Sequence, residues 1–321
     1  MQRSNAAPTF TDLTVADLGG PKATAFFERC LKEIPFGRLA ASVADIFSDD
    51  NPAGGAPHWP VVTMLKIVFL QKCFGLSDPM AEEMLRDRIS FRRFVGLSFD
   101  DKTPDHSTIS VFRNRLRERG HGSTLFEQTL EVLRQRGLVL NTGTLVDASI
   151  MEAPLGGKRA DGSGSGDPLA SKTAKNGRAY HGYRVHIATD RRGIITDYVY
   201  DTAVVSEYEH FDHLIRNEKQ AVFADSGCRS VERVKRLRQA GVVAGMCHRR
   251  VRGQKELSPQ QKRLNRLIAP IRAFVEHPMA WIKVRLNNRR VRYRGVSRNG
   301  MDFALSAMAC NFCRSFWQTA T

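Results

Sequence analysis

The sequence predicts an α/β domain built on a mixed sheet flanked by helices and preceded by an all-α domain. Three observations carry that prediction. A block of short, capped helical segments runs up to Gly137, and strand-like alternation begins after Gly143. Beyond it the order is strand, strand, strand, helix, strand, helix, which is the pattern of an α/β fold with a mixed sheet.

Residues 1–55 form a polar tail and a short helix near 22–39, closing on a loop of Asp, Asn, Pro and Gly over 49–55. Residues 56–138 read as a helical domain. Val61, Leu65, Val68 and Phe69 recur at helical spacing within 60–74, and Gly75 stops that segment. Asp78-Pro79 supplies a cap with Pro at the first helical position, and Glu82 and Glu83 favour the positive end of the dipole. Asp105 precedes a helix through Val111, Phe112 and Leu116, and Thr124-x-x-Glu127 is a capping box for a helix ending before Gly137.

Residues 139–321 form the α/β domain. Leu145 to Ser149 is strand-like, and 156–178 is a polar, Gly/Ser-rich loop that buries little. Residues 183–188 and 194–202 are two strands joined at a turn marked by Gly193. A helix over 207–215 leads to the short apolar strand Ala221-Val222-Phe223-Ala224, which runs into Asp225-Ser226-Gly227. Helices then predominate, with one more short strand near 242–246.

The 321 residues carry a net charge of +16 with 42% hydrophobic residues, an ordinary globular composition. No run of about 18 uncharged apolar residues occurs, so no membrane span is expected. Met1-Gln2-Arg3-Ser4-Asn5 is not followed by an apolar signal core, and six scattered cysteines fit a reducing compartment, so a cytoplasmic protein is expected. The charge is segregated. From Arg229 to Asn299 there are 20 Lys and Arg against 3 acids, a net +17, which leaves −1 for the rest of the chain. Such concentration is the footprint of a polyanion partner, and double-stranded DNA is expected.

Two acids stand where acids are unusual. Asp147 interrupts an apolar strand and Asp225 ends another, while Glu276 is one of only three acids in the basic stretch. Unpaired carboxylates beside a core are costly unless a cation satisfies them. Three hard oxygen donors converging on Mg²⁺ suit phosphoryl chemistry. Taken singly, each has an ordinary explanation: a strand-end Asp is commonly a turn former or cap, and Arg272 lies four residues before Glu276 as an ion-pair partner.

Together, four blocks in order resemble the DDE transposases of bacterial insertion sequences, in particular the insertion-sequence-five family. They are Thr144-Leu145-Val146-Asp147-Ala148-Ser149-Ile150 with Ala153-Pro154; Lys175-x-Gly177-x-x-Tyr180-x-Gly182-Tyr183-Arg184-x-His186; Ala224-Asp225-Ser226-Gly227; and Arg272-Ala273-Phe274-Val275-Glu276-His277-Pro278 with Lys283 and Val291-Arg292-Tyr293-Arg294-Gly295. The helical region from His58 to about Arg117 is similar to the family's N-terminal domain. The resemblance implies a ribonuclease-H-like core in which Asp147, Asp225 and Glu276 are catalytic and bind two Mg²⁺ ions, with Mn²⁺ able to substitute. It implies hydrolysis at the terminal inverted repeats, freeing a 3′-OH that attacks target DNA, by a homodimer acting at the bacterial nucleoid. Arg272 and Lys283 match the family's R-x3-E-x6-K signature, and positions 272, 276 and 283 lie within about 40° on a helix. With Arg289, Arg290, Arg292 and Arg294 they are the expected DNA-binding residues. The chain departs from the pattern at Ala269, where the family has Tyr, at Cys228 and over 206–210, and Pro278 is expected to kink the helix.

Two other readings fit the same residues: a non-catalytic DNA-binding relative of a transposase, and a metal-dependent nuclease on the same core. Metal-dependent cleavage separates the first, and specificity for transposon ends separates the second. Cys310-x-x-Cys313 sits in an apolar helical run and is expected to pack in a core rather than hold zinc, and His186 is expected on the sheet surface. Arg86, Arg88, Arg92, Arg93, Arg113, Arg115, Arg117 and Arg119 give the N-terminal helices basic ridges, suited either to reading DNA, with the helix after Asp105 as a helix-turn-helix candidate, or to plain solvation. No phosphate-loop or dinucleotide fingerprint is present.

Overall fold

The computed structural model describes residues 21–47, 57–157, 166–175, 177–206, 208–250 and 253–318. The polar tail, the 49–55 loop and residues 158–165 of the Gly/Ser-rich run lie outside them. The chain divides into two compact units, Met1–Thr129 with Ala304–Phe312, and Leu130–Phe303 with Cys313–Thr321. The division falls within a helix, and the middle of the last helix goes with the first unit.

The first unit is helical: α1 (Pro21–Glu33), α2 (Phe36–Ala41), α3 (Val61–Phe74), α4 (Asp78–Asp87), α5 (Ile89–Val95), α6 (His106–Glu118) and the start of α7 (His121–Gln135). Pro35, without an N–H and unfavourable to helix in the residue before it, splits the single helix expected over 22–39 into α1 and α2. α3 is buried along most of its length and ends on Gly75 at φ 65°, whose N–H bonds back to Gln71 and Lys72 carbonyls. Its Phe69 packs with Phe27, Phe36, Phe91 and Phe94 in an aromatic cluster whose paired ring centroids lie 5.1 to 6.2 Å apart.

Two caps differ from expectation. Ser77, not Asp78, caps α4, and α7 begins at His121, so Thr124 lies inside that helix rather than at its cap. Asp78 is drawn elsewhere: it accepts two hydrogen bonds from Arg113 of α6 at 2.7 and 2.6 Å and one from Gln71 of α3 at 2.7 Å. Burial alone would raise the Asp78 pKa, but Arg113 beside it lowers it below the usual carboxylate value. Arg92 is also buried and donates to the carbonyls of Leu85, Ser98, Phe99 and Asp101. Two of the eight arginines expected on basic ridges are therefore internal ties between helices.

The second unit carries β1 (Thr144–Glu152), β2 (Ser171–Lys175), β3 (Arg178–Thr189), β4 (Ile195–Thr202), α8 (Phe211–Leu214), β5 (Ala221–Ala224), α9 (Val231–Gln239), β6 (Val243–Met246), α10 (Pro259–Val284) and part of α11 (Val296–Gln318). The sheet runs β4-β3-β1-β5-β6, with β3 antiparallel to β1 and β4, and β1, β5 and β6 mutually parallel. This is the expected mixed sheet. Gly182 pairs with Glu152 on one side and Ser171 on the other, so β2 lies on the β4 edge of β3. β2 and the start of β3 fall within the stretch expected to be loop: Ser171-Lys172-Thr173-Ala174-Lys175 has almost no apolar residue, and its strand is made by backbone pairing with β3.

Alternation along β1 assigns its two faces. Val146 joins Ala188, Val222, Phe211, Val234 and Met246 in the core beneath α8 and α9. Asp147 and Ser149 face the other way. There α10, 26 residues long and opened by the Ser258/Gln261 capping box, packs on β1 and β5. It is helical across both Pro270 and Pro278. His186 is buried at 1% exposure rather than set on the sheet surface. Cys310 and Cys313 are buried, as expected of core residues. Among the described residues no helix is long and apolar enough to cross a membrane.

Candidate active site

Backbone register brings the two aspartates together. β5 pairs in parallel with β1 through Thr144↔Val222 and Leu145↔Phe223, and the same register carried onward sets Asp225 level with Asp147. Neighbouring strands are about 4.8 Å apart. Asp225 ends its strand because its side chain caps a single 3₁₀ turn, accepting from the Ser226 N–H at 2.6 Å. Glu276 and Arg272 come from α10, one helical turn apart.

Arg272 is the shared partner of these acids. Its Nη1 lies 3.5 Å from Asp225 Oδ1 and its Nη2 lies 3.7 Å from Glu276 Oε1. Burial by itself would lower the guanidinium pKa. The Asp225 and Asp147 carboxylates and a hydrogen bond with Cys247 more than offset it, so the pKa is raised. Among the described residues no three of His, Cys, Asp and Glu stand close enough to hold a metal ion. The carboxylates instead bear on one cation, Arg272. Carboxylate oxygens are the donors a hard divalent cation takes, so the residue types fit such a site.

Lys283, two turns beyond Glu276, is fixed on β1, donating to Ser149 Oγ at 2.7 Å and the Ile150 carbonyl at 2.8 Å. Ser149 shares the Asp147 face, so Lys283 is anchored two residues along the strand from the first aspartate. Past β5, the free edge of β1 is taken up again at Glu152, which forms a parallel bridge to Arg290: Glu152 N–H bonds to Arg289 O at 3.3 Å and Val291 N–H to Glu152 O at 2.9 Å. This presents Arg289 and Arg290, both exposed, beside Lys283. Arg292 and Arg294 follow, also exposed. A polar cleft of about 430 Å³ lies against Ser149, Ile150 and Glu152 of β1, lined also by Lys283, Arg289 and Arg290 and by two residues not expected at the site, Arg178 and Tyr180. Neither Ser149 nor Cys247 was expected at the site. A lone Ser on a strand carries no signal of the lysine it will hold.

A mixed sheet with acids at matched positions on two parallel strands, a third acid on a helix across them, and a strongly basic stretch around it defines an enzyme of phosphodiester chemistry on nucleic acid. The family model described as Transposase DDE domain matches residues 140–312, more than half of the chain. The chain belongs to that family. It is a DNA transposase, an enzyme of DNA cleavage and strand transfer, and such enzymes depend on divalent metal. The model described as Transposase domain (DUF772) matches residues 21–115. A crystal structure of the Mos1 strand transfer complex aligns with 88% of this chain and 92% of its own, at 12% identity and a TM-score of 0.22, so the family assignment stands on the family models.

Proposed function

We propose that this transposase belongs to the insertion-sequence-five group, binds the terminal inverted repeats of its element, cleaves there and joins the freed 3′-OH to target DNA. The observation that carries the reading is the placing of Arg272 between Asp225 and Glu276, 3.5 and 3.7 Å away, with the Asp147 charge helping to raise its pKa. Asp147, Asp225 and Glu276 would hold the divalent metal, as two Mg²⁺ ions or Mn²⁺ in their place. A divalent metal held by these residues would supply Lewis-acid stabilisation of charge on a phosphodiester.

The chain's own cations do the positioning. Arg272, held among the acids, and Lys283, anchored to β1, set two fixed positive charges beside the reacting phosphate. Arg289, Arg290, Arg292 and Arg294 continue that line along the DNA backbone. Residues 56–138 act as the DNA-binding domain, residues 139–321 as the catalytic domain, and two copies hold the two ends in one complex. The enzyme works on DNA in the bacterial cytoplasm, at the nucleoid.

The test uses the full chain, Mg²⁺ and a duplex carrying the inverted repeats that flank the gene. Cleavage at the repeat boundary is expected in the wild type and lost in Asp225→Asn. Cutting without preference for the repeat boundary would make the protein a general nuclease. Repeat binding with no cleavage in either protein would make it a DNA-binding relative.

A further inference from the structure

Basic side chains gather on the far side of the acids as well, at the edge of the sheet. The β5/β6 register Ala224↔Met246, carried one residue onward, sets Cys247 level with Asp225 and His248 one residue beyond it. Neighbouring strands are about 4.8 Å apart. The end of β6 therefore lies one strand from Asp225, on the side away from β1. Three basic residues meet there: Arg229, which follows the turn capped by Asp225, Arg238 in the last turn of α9, and His248.

Two of the three are fixed in place. Arg229 is half-buried and donates from Nη1 to the Met246 carbonyl at 3.1 Å. His248 is clamped to α10 at both its peptide groups: its N–H donates to Asn265 Oδ1 at 2.8 Å, and its carbonyl accepts from Asn265 Nδ2 at 3.0 Å. Burial and then Arg238 lower the Arg229 pKa, while burial and then both arginines lower that of His248. The three groups repel one another.

Among the described residues no carboxylate pairs with any of them. Other cations of the same basic stretch are paired: Arg233 and Arg236 of α9 both bind Asp212, and Lys262 meets Glu256 at 2.5 Å. Holding like charges together without a counter-ion costs free energy, and an anion seated among them removes that cost. Two guanidinium forks and an imidazole are donors suited to phosphodiester oxygens. Lys283, Arg289 and Arg290 lie on the β1 side, so the acids stand between two separate groups of basic residues.

We propose that Arg229, Arg238 and His248 form a second phosphate-binding site, which holds a backbone phosphate of DNA beside Asp225 at the β6 edge. The site rests on the function proposed above and deepens it: DNA backbone is gripped on both sides of the reacting phosphate. The phosphate held there belongs either to the repeat end or to the target DNA, which share this chemistry.

Fluorescence anisotropy with the full chain in Ca²⁺ reads binding without cleavage. One arm uses labelled repeat-end duplex. The other adds labelled target duplex to protein already holding unlabelled, pre-cleaved repeat end. Replacing Arg229 and Arg238 together by Gln is expected to lower the slope of log K against log salt by about 2 in at least one arm. Loss in the first arm assigns the phosphate to the repeat end, and loss in the second alone assigns it to the target. Should Arg229→Gln disturb the fold, Arg238→Gln at its exposed position is expected to lower the slope by about 1, and Arg238→Lys, which keeps the charge, to retain it. Lys262→Gln, which removes a cation already paired with Glu256, is expected to leave both slopes unchanged. Unchanged slopes in both arms for Arg238→Gln, or an equal loss in Lys262→Gln, would overturn the site. Because the readout needs no cleavage, a lowered slope in Arg238→Gln without Mg²⁺-dependent cutting by the wild type would count against the proposed reaction alone. Normal cutting by the wild type, with slopes that Arg238→Gln leaves unchanged, would count against this site alone.

Discussion

Among single residues, Arg272 and His186 show how far burial and charge alter side chains that look ordinary in sequence. Asp147, Asp225 and Glu276 were legible as candidates because each is an acid in the wrong company. Arg272 was legible as an ion-pair partner of Glu276 and, through the resemblance, as a DNA-binding residue. That it also serves two aspartates from separate strands follows from the β1/β5 register, which no local pattern encodes. His186 was misjudged because alternation alone placed it opposite Tyr183 on a face presumed wet, whereas that face lies under α8 and beside His210. The ring centroids of the two histidines are 4.9 Å apart, and His210 Nε2 meets Asp201 at 3.0 Å. Burial, then His210 and Arg184, push the His186 pKa down to about 4, against a smaller opposing pull from Asp201. A histidine depressed in the folded state takes up its proton more readily when unfolded. Its contribution is therefore complete above about pH 6.5 and lost as pH falls toward 4, by at most about 1.4 kcal/mol per pH unit. Denaturant unfolding at pH 7 and pH 5 should show this loss in the wild type and less of it in His186→Gln; equal losses would contradict the assignment.

At the scale of elements, what the sequence disclosed depended on whether an element is made by its own residues or by its neighbours. β1 and β5 are apolar runs and were legible. β2 is polar and was not, since its strand state comes from pairing with β3. The helix caps show the same division. Ser258 and Asp105 act locally, while Asp78 gives up the cap to Ser77 because Arg113, 35 residues away, claims its carboxylate. Asp78→Ala would leave Arg113 buried without that partner and is expected to cost about 3 kcal/mol or more in denaturant unfolding. Glu82→Ala, whose pairs to Arg86 and His106 lie at the surface, should cost far less. Gly182→Ala forces β3 away from Met151 and is expected to cost about 3 kcal/mol, read as a lowered unfolding midpoint. A neutral result there would mean that β1 and β3 can part at that point without penalty.

For the whole molecule, the charge map was the most direct sequence signal, since one stretch holds all the excess positive charge. The structure divides it by use. Arg233 is buried and bound to Asp212, Arg272 sits among the acids, Lys283 is pinned to β1, and Arg289, Arg290, Arg292 and Arg294 are exposed. Counting charges could not separate these uses, because it carries no information on burial. The exposed set should govern the salt dependence of DNA binding. Replacing Arg289 and Arg290 together by Ala is expected to reduce the slope of log K against log salt by about 2, in fluorescence anisotropy with repeat-end duplex. An unchanged slope would remove both from the DNA path.

The proposed cation site of Asp147, Asp225 and Glu276 is tested by calorimetric Mn²⁺ binding to the DNA-free protein. Wild type should bind Mn²⁺, and Asp147→Asn, Asp225→Asn and Glu276→Gln should each weaken it about tenfold or more, while Glu256→Gln, an acid paired with Lys262 at the surface, leaves it unchanged. Mn²⁺ binding that survives all three substitutions would contradict the site.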